Sequence, residues 1–465
     1  MHAQTLDWSI SEKLKIRPEQ VEILGKIDES LFIIQYDKKS LQTFIFQRYD
    51  AQLRKSAQYE KTLEKQFHVV KIALHDKKLY FFYASYNKET KTYSLFADIF
   101  DHNFNEYDKG NLIIETKSKL DDNSTFQISF NKLTNKILII SSEGTSGKNT
   151  NLKLVILDHL LETLESLNVA LPFEETMAVT NIEFAEPYIT AIITRKGSSG
   201  ILFKQNEQSF QFICINAETN ALSQFNLYND SLKLTNVIYK YDYFTTGYII
   251  TGYFSNHEST ESKGLAFIKY FPSNDSSLFR FIYFSKEMAG VLSGSRPNME
   301  GVMDFYPVYS VLRNDGGFIF VGEYYRIQKE VLSNPYSLNS NYIKYYYQFR
   351  EIMIVSINPD GKVDWNKIIR KEQYSTNDEG VFSSFLAGAT HENLFFIYND
   401  MSRLKWNLIL DKIDPNGKTE HKIIVNGNNF TAGFLPKSGM QISNHEFIIP
   451  LLEEKKGFSF LRLTF

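Results

Sequence analysis

Short runs of apolar residues recur along the whole chain, each bounded by polar turn formers. Six of them, at 30–35, 78–83, 136–140, 247–252, 317–322 and 393–398, are rich in Ile, Phe, Tyr and Val. Runs of that length between clusters of Gly, Asn, Asp, Ser and Pro predict β-strands in an antiparallel meander. Amphipathic helix periodicity is nearly absent. Residues 158–167 are the one segment with room for a short helix, and a turn followed by a strand fits them equally well.

A tight turn serves as a ruler for the repeat. It reads Asn358-Pro-Asp-Gly361 and again Asp414-Pro-Asn-Gly417, each after an apolar strand. Pro presets φ for the turn and Gly accepts a positive φ. Softer forms begin at Asp50, Asp101, Asp158, Asn216 and Pro272, so that successive spacings are 51, 57, 58, 56, 86 and 56 residues. Such a period marks a repeat protein, and the long interval marks an insertion. Each unit parses as four strands, A to D, with the ruler turn between C and D.

A lone four-stranded sheet cannot bury both faces, whereas sheets stacked radially can. The expected fold is therefore all-β: a single β-propeller over residues 1–465, with blades at about 21–62, 68–117, 126–173, 178–228, 233–288, 303–373, 381–426 and 436–465. Only three strands follow residue 426. Leu6-Asp7-Trp8-Ser9-Ile10 resembles Val363-Asp364-Trp365-Asn366-Lys367, the D strand of the sixth unit. Residues 5–14 are thus expected to complete the eighth blade and cover its edge. Seven blades is the alternative if one short unit is misparsed.

The long connections, 142–151, 195–207, 255–263, 285–307 and 326–348, all fall between B and C or between D and A, on one face of a propeller. Repeat proteins place such insertions on their binding face. The insertion 326–348 is expected to be a loop carrying Tyr336, Tyr342, Tyr345, Tyr346 and Tyr347, just after Tyr324 and Tyr325 of strand B. Tyrosine offers rigid contact area with a polar tip, so these seven are candidate partner-binding residues. The competing reading extends strand C through Tyr345, Tyr346 and Tyr347 and packs them on a neighbouring blade.

Composition narrows the function. With 51 basic and 54 acidic residues the net charge is −3, which lacks the footprint of a nucleic-acid binder. The lone cysteine, Cys214, rules out an internal disulfide and a Cys-based zinc site, and it sits in a buried strand pattern. No apolar run is long enough to span a membrane. The nine histidines show no metal-ligand spacing, and His102 and His159 are turn residues. The run 144–149 departs from a phosphate-binding loop, 375–380 departs from an Asp-box turn, and no nucleophile elbow exists. Glu186, Asp304 and Glu323 lie near strand ends and are the acids a propeller could converge on its axis; solvated or turn-capping roles are the expected ones. No catalytic, cofactor-binding or metal-binding residue is assigned, and the chain is expected not to be an enzyme.

The runs Asn314-Asp-Gly-Gly-Phe-Ile-Phe-Val-Gly-Glu-Tyr-Tyr325 and Ile352-Met-Ile-Val-Ser-Ile-Asn-Pro-Asp-Gly-Lys-Val-Asp-Trp365 resemble exported β-propeller proteins of gliding Gram-negative bacteria. The match covers about residues 310–426. In length and single-domain build the chain is also similar to the periplasmic plug-type subunit of the type IX protein secretion translocon. These resemblances imply a periplasmic or secreted location, an outer-membrane translocon component as protein partner, and a stoppering or gating role exerted by contact. Met1-His2-Ala3-Gln4 lacks the basic and apolar regions of a secretory signal, yet Ala3-Gln4 reads like the end of a trimmed one. The alternative function is a carbohydrate-binding or carbohydrate-active propeller with an axial site.

Overall fold

The computed structural model describes residues 5–13, 21–36, 41–117, 126–143, 151–171, 177–196, 208–227, 231–256, 259, 261–292, 301–333, 341–400, 406–427, 432–453 and 457–465. Eight antiparallel sheets follow one another along the chain, at 21–62, 67–117, 126–170, 177–226, 232–283, 305–376, 385–425 and 432–464. In the first seven, four consecutive strands pair in chain order; the sixth adds a short fifth strand, Gln373–Thr376. This is an eight-bladed β-propeller.

The eighth blade takes its outer strand from the other end of the sequence. Thr5–Trp8 pairs antiparallel with Gly457–Thr464, Asp7 opposite Arg462 and Trp8 opposite Leu461. Arg462 Nη2 lies 3.0 Å from Asp7 Oδ2 and its Nη1 donates to the carbonyl of Ala51, in the ruler turn of blade one. The match between Leu6-Asp7-Trp8 and Val363-Asp364-Trp365 therefore corresponds to two D strands.

All six apolar runs belong to B strands: Ser30–Tyr36, Lys78–Asn87, Ile137–Glu143, Gly247–Asn256, Phe318–Ser333 and Leu394–Asp400. A B strand lies inside its sheet and is covered on both faces, which explains continuous hydrophobicity instead of alternation. D strands such as Thr419–Val425 are mostly exposed and read polar.

The chain forms two compact units, one of residues 62–289 and one of residues 1–61 with 290–465. In the first unit, blades two to five share three apolar clusters. Phe82 and Ile99 meet Ile128 and Ile139; Leu152 and Leu154 meet Ile189 and Ile213; Phe212 meets Tyr248 and Tyr270. In the second unit, Val321 and Ile354 of blade six meet Phe396 and Ile409 of blade seven. Phe395 and Leu408 of blade seven meet Phe447 and Leu461 of blade eight, and Ile33 of blade one meets Ile448 and Phe460 of blade eight. Each cluster binds one sheet to the next, so the core is a series of seams between blades.

The ruler turns explain themselves at atomic level. Asp50, Asp101, Asp158, Asn358 and Asp414 each present Oδ1 to the backbone N–H groups two and four residues on. Asn216 does the same for residues two and three on. The side chain thus satisfies N–H groups that the C–D hairpin leaves unpaired.

Of the two readings of residues 158–167, the turn followed by a strand holds: Asp158 opens a ruler turn and Thr163–Ala170 is strand D of blade three. The main helix is Lys286–Leu292, inside the expected loop 285–307, where Ser285 Oγ accepts from Met288 N at its first turn. The run 144–149 lies outside the described residues.

Candidate functional site

Residues 326–333 and 341–348 are strand and not loop. Strand B of blade six runs from Phe318 to Ser333 and strand C from Asn341 to Ile357, and their pairing continues without a break from Tyr325–Phe349 to Ser333–Asn341. Strand A pairs with strand B only as far as Tyr324. Beyond that point the two central strands continue as a ribbon, an arm reaching past the blade. Strand Gln373–Thr376 braces its root by pairing with residues 346–349, and Asn377 extends the support by exchanging bonds with the backbone of Tyr345.

Period-two alternation gives the arm two unlike sides. One carries Tyr325, Ile327, Lys329 and Val331 opposite Phe349, Tyr347, Tyr345 and Ile343. Tyr325 packs against Phe349 near the root, with ring centroids 4.5 Å apart and planes tilted by 33°. Farther out, Ile327, Val331, Ile343 and Tyr345 are 49%, 58%, 43% and 37% exposed, an apolar strip open to solvent. The other side is polar and internally bonded. Tyr346 Oη donates to Glu330 Oε2 at 2.7 Å, Lys344 Nζ lies 4.8 Å from the Tyr346 ring, and Gln348 Nε2 donates to Gln328 Oε1.

The candidate tyrosines divide accordingly. Tyr324 is buried against Phe305, with the Arg350 guanidinium over its ring, and so is not a surface residue. Tyr325 and Tyr347 are half-buried on the apolar side, Tyr345 is exposed there, and Tyr342 is exposed on the polar side. Tyr346 is held by Glu330. Tyr336 lies outside the described residues. Ile327, Val331 and Ile343 share the side of Tyr345, and their period-two alternation is the one signal of it in the sequence.

A buried polar cluster anchors the arm. Lys371 Nζ lies 2.6 Å from Glu323 Oε1 and donates to Gln373 Oε1, with both charged side chains nearly inaccessible. Glu323 Oε2 accepts from Ser384 Oγ at 2.6 Å, and Gln373 also receives the Ser384 N–H and donates to the Asn399 carbonyl. Asn399 in turn donates to the carbonyls of Phe382 and Phe434. Burial pulls the Lys371 ammonium below the usual lysine range, opposed by the Glu323 charge. Blades six, seven and eight are thereby tied together at the foot of the arm. Glu323, one of the acids a propeller could converge on its axis, was expected to be solvated or turn-capping and is instead half of a buried ion pair. Glu186 lies 2.6 Å from Lys136 and Asp304 lies 3.9 Å from Arg326.

A cavity of about 490 Å³ opens between blades six and seven near their A–B and C–D turns, lined by Arg313, Trp365, His391 and Pro415 among others. Its cation is fully engaged: Arg313 bonds Asp315, Asp364 and Ser356. Its aromatic is engaged too. Trp365 Nε1 donates to the Pro415 carbonyl at 2.8 Å, and Gly417 sits so close to the indole that an added Cβ would come within 2.9 Å of it. Among the described residues no group of three or more His, Cys, Asp or Glu is placed to hold a metal, and no helix is long and apolar enough to cross a membrane.

No family model matches the chain, and no curated protein does. Solved structures similar to it include the WD40 domain of SCAP from fission yeast, at 10% identity and a TM-score of 0.41, covering 99% of this chain and 98% of that one. Another is the β-propeller domain of the Trilobed protease from Pyrococcus furiosus, at 10% identity and a TM-score of 0.35, covering 91% and 97%. The Pyrococcus horikoshii acylaminoacyl peptidase is similar at 11% identity and a TM-score of 0.37, covering 83% of this chain and 49% of that one.

Proposed function

We propose that this chain is a non-catalytic protein-binding propeller whose contact element is the arm of blade six. The observation that carries the reading is the exposed strip of Ile327, Val331, Ile343 and Tyr345 on a ribbon whose root is fixed by an aromatic contact and a buried ion pair. A rigid apolar surface binds at a lower ordering cost than a flexible loop, because its side chains are already placed. The polar side bonds within itself through Tyr346–Glu330 and Gln348–Gln328, whereas the apolar strip is open to solvent, so the apolar side is the one that gains by being covered. Glu186, Asp304 and Glu323, the three acids considered for an axial site, each face a cation: Lys136, Arg326 and Lys371. A location outside the cytoplasm is part of this proposal and rests on the sequence resemblance over about residues 310–426; a stoppering or gating role on an outer-membrane translocon component is part of it too and rests on length and single-domain build alone.

The test is a chain with Ile327, Val331 and Ile343 changed to Ser and Tyr345 to Ala, compared with the parent after circular dichroism shows equal folding. Immobilised parent should retain specific proteins from an extract of the source organism, identified by mass spectrometry. The variant should retain them at least about tenfold less well, the loss of roughly one hot-spot residue. Equal retention of the same proteins would overturn the reading.

A further inference from the structure

The cavity between blades six and seven holds negative charge that its own surroundings do not neutralise. Val311, Trp365 and Ala389 pack on the apolar seam joining the two blades, are only partly buried, and line the cavity. The seam therefore ends in an uncovered floor, at the opposite end of strand B from the arm. Three carboxylates line the cavity, Asp315, Glu392 and Asp414, against one guanidinium, Arg313. Arg313 is already bonded to Asp315 and, behind it, to Asp364, so an anion would find no net positive charge there. Asp414 gives Oδ1 to its own turn. Among the described residues its Oδ2 and the whole Glu392 carboxylate are without bonds. We propose that the cavity binds an alkylguanidinium group, either on a free small molecule or as the arginine side chain of another protein.

Each part of that group meets a matching part of the cavity. The alkyl stem would cover the apolar floor of Val311 and Ala389, and the planar head would lie beside the Trp365 indole and bond Asp414 and Glu392. A guanidinium is weakly hydrated, attracts aromatic faces and has donors enough for two carboxylates at once. An ammonium, more strongly hydrated, gains less beside an indole. A neutral ligand would leave both carboxylates without a counter-charge, in a cleft whose apolar walls concentrate their field. The aromatic wall is also set in advance. Trp365 Nε1 is held by the Pro415 carbonyl, and Gly417 packs so closely on the indole that a Cβ there would lie 2.9 to 3.2 Å from Cδ2, Cγ and Cε3. Binding therefore spends little on ordering the site.

Isothermal titration of the full chain at low salt compares n-butylguanidinium with its uncharged isostere n-butylurea. Saturable binding of the cation at one site per chain is expected, weakened by added salt, with butylurea at least about tenfold weaker. Asp414→Asn keeps the turn, since Asn358 fills the matching place in blade six, and Glu392→Gln breaks no bond among the described residues. Each should weaken binding about fivefold and the two together at least about tenfold, with the melting temperature unchanged. A blocked tripeptide, acetyl-Gly-Arg-Gly-amide, separates the two sources. If it binds more tightly than butylguanidinium, the site takes an arginine side chain; if equally or less tightly, it takes a free alkylguanidine. No saturation by either cation up to about 10 mM overturns the proposal. So does butylurea binding as tightly as the cation, or cation binding indifferent to both variants.

Discussion

Single side chains in this fold tend to spend their polarity on the backbone, and Glu183 shows the consequence. It stands near the end of strand A of blade four, with one oxygen accepting from the Tyr241 N–H. Burial outweighs that bond and the nearby Lys240 charge, and pushes its carboxyl up to about 7. A carboxyl raised above its unfolded value is neutral in both states at low pH, where its contribution is fully present; that contribution is lost as pH rises through about 7. The loss is at most about 3 kcal/mol, at about 1.4 kcal/mol per unit. Glu183→Gln keeps the acceptor and removes the titration. Urea midpoints at pH 5 and pH 8 should therefore show parent and variant diverging, with the variant gaining relative stability at the higher pH. Parallel curves would mean that the carboxylate is solvated. Nothing in the local sequence, Asn181-Ile-Glu-Phe-Ala185, distinguishes this acid from an exposed one, because its surroundings come from strand A of the next blade.

At the scale of the element, the ruler turn was readable because its chemistry is local. The acceptor, the fixed φ of Pro and the positive φ of Gly361 and Gly417 lie within four residues of one another. The arm was less readable for the opposite reason. Its strands are defined by pairing between Ile327 and Tyr347 or Val331 and Ile343, and a run with three successive tyrosines obscures the period of two. Lys371 and Glu323, 48 positions apart, meet only because the chain after strand D resumes its pairing along strand C at Gln373, which keeps Lys371 beside the central strands. The ruler also permits a substitution test. Both Asp and Asn occupy its first position, so the oxygen matters more than the charge. Asp414→Asn should leave the urea midpoint nearly unchanged, whereas Asp414→Ala removes the acceptor for Asn416 and Lys418 and should cost about 1 kcal/mol. Equal effects from both would show that the turn is held by its Pro and Gly alone.

For the whole molecule, the decisive joint is the one the chain makes with itself in blade eight. Thr5–Trp8 and Glu12–Lys13 pair with Gly457–Thr464. Between them Ser9 exchanges bonds with Phe460, its N–H reaching the carbonyl at 3.0 Å and its Oγ receiving the N–H at 2.7 Å. Lys55 of blade one lies 2.5 Å from Glu12, while Arg462 spans Asp7 and the Ala51 carbonyl. The exposed faces of Thr5–Trp8 contribute little burial, so the strand stabilises through its ladder and by masking an edge rich in Phe and Leu. Removing residues 1–13 should therefore act twice. It should lower the melting temperature, because Ser9 and its neighbours no longer satisfy strand 457–464, and it should cause concentration-dependent aggregation, because that strand becomes an open, apolar edge. A synthetic peptide of residues 5–13 added in excess should reverse both effects by filling the vacant position, with a gain that grows with peptide concentration as binding to the native state requires. Light scattering and thermal unfolding of the truncated chain, with and without the peptide, separate this from a merely local role: a truncated chain that melts like the parent and stays monodisperse would show that blade eight holds with three strands.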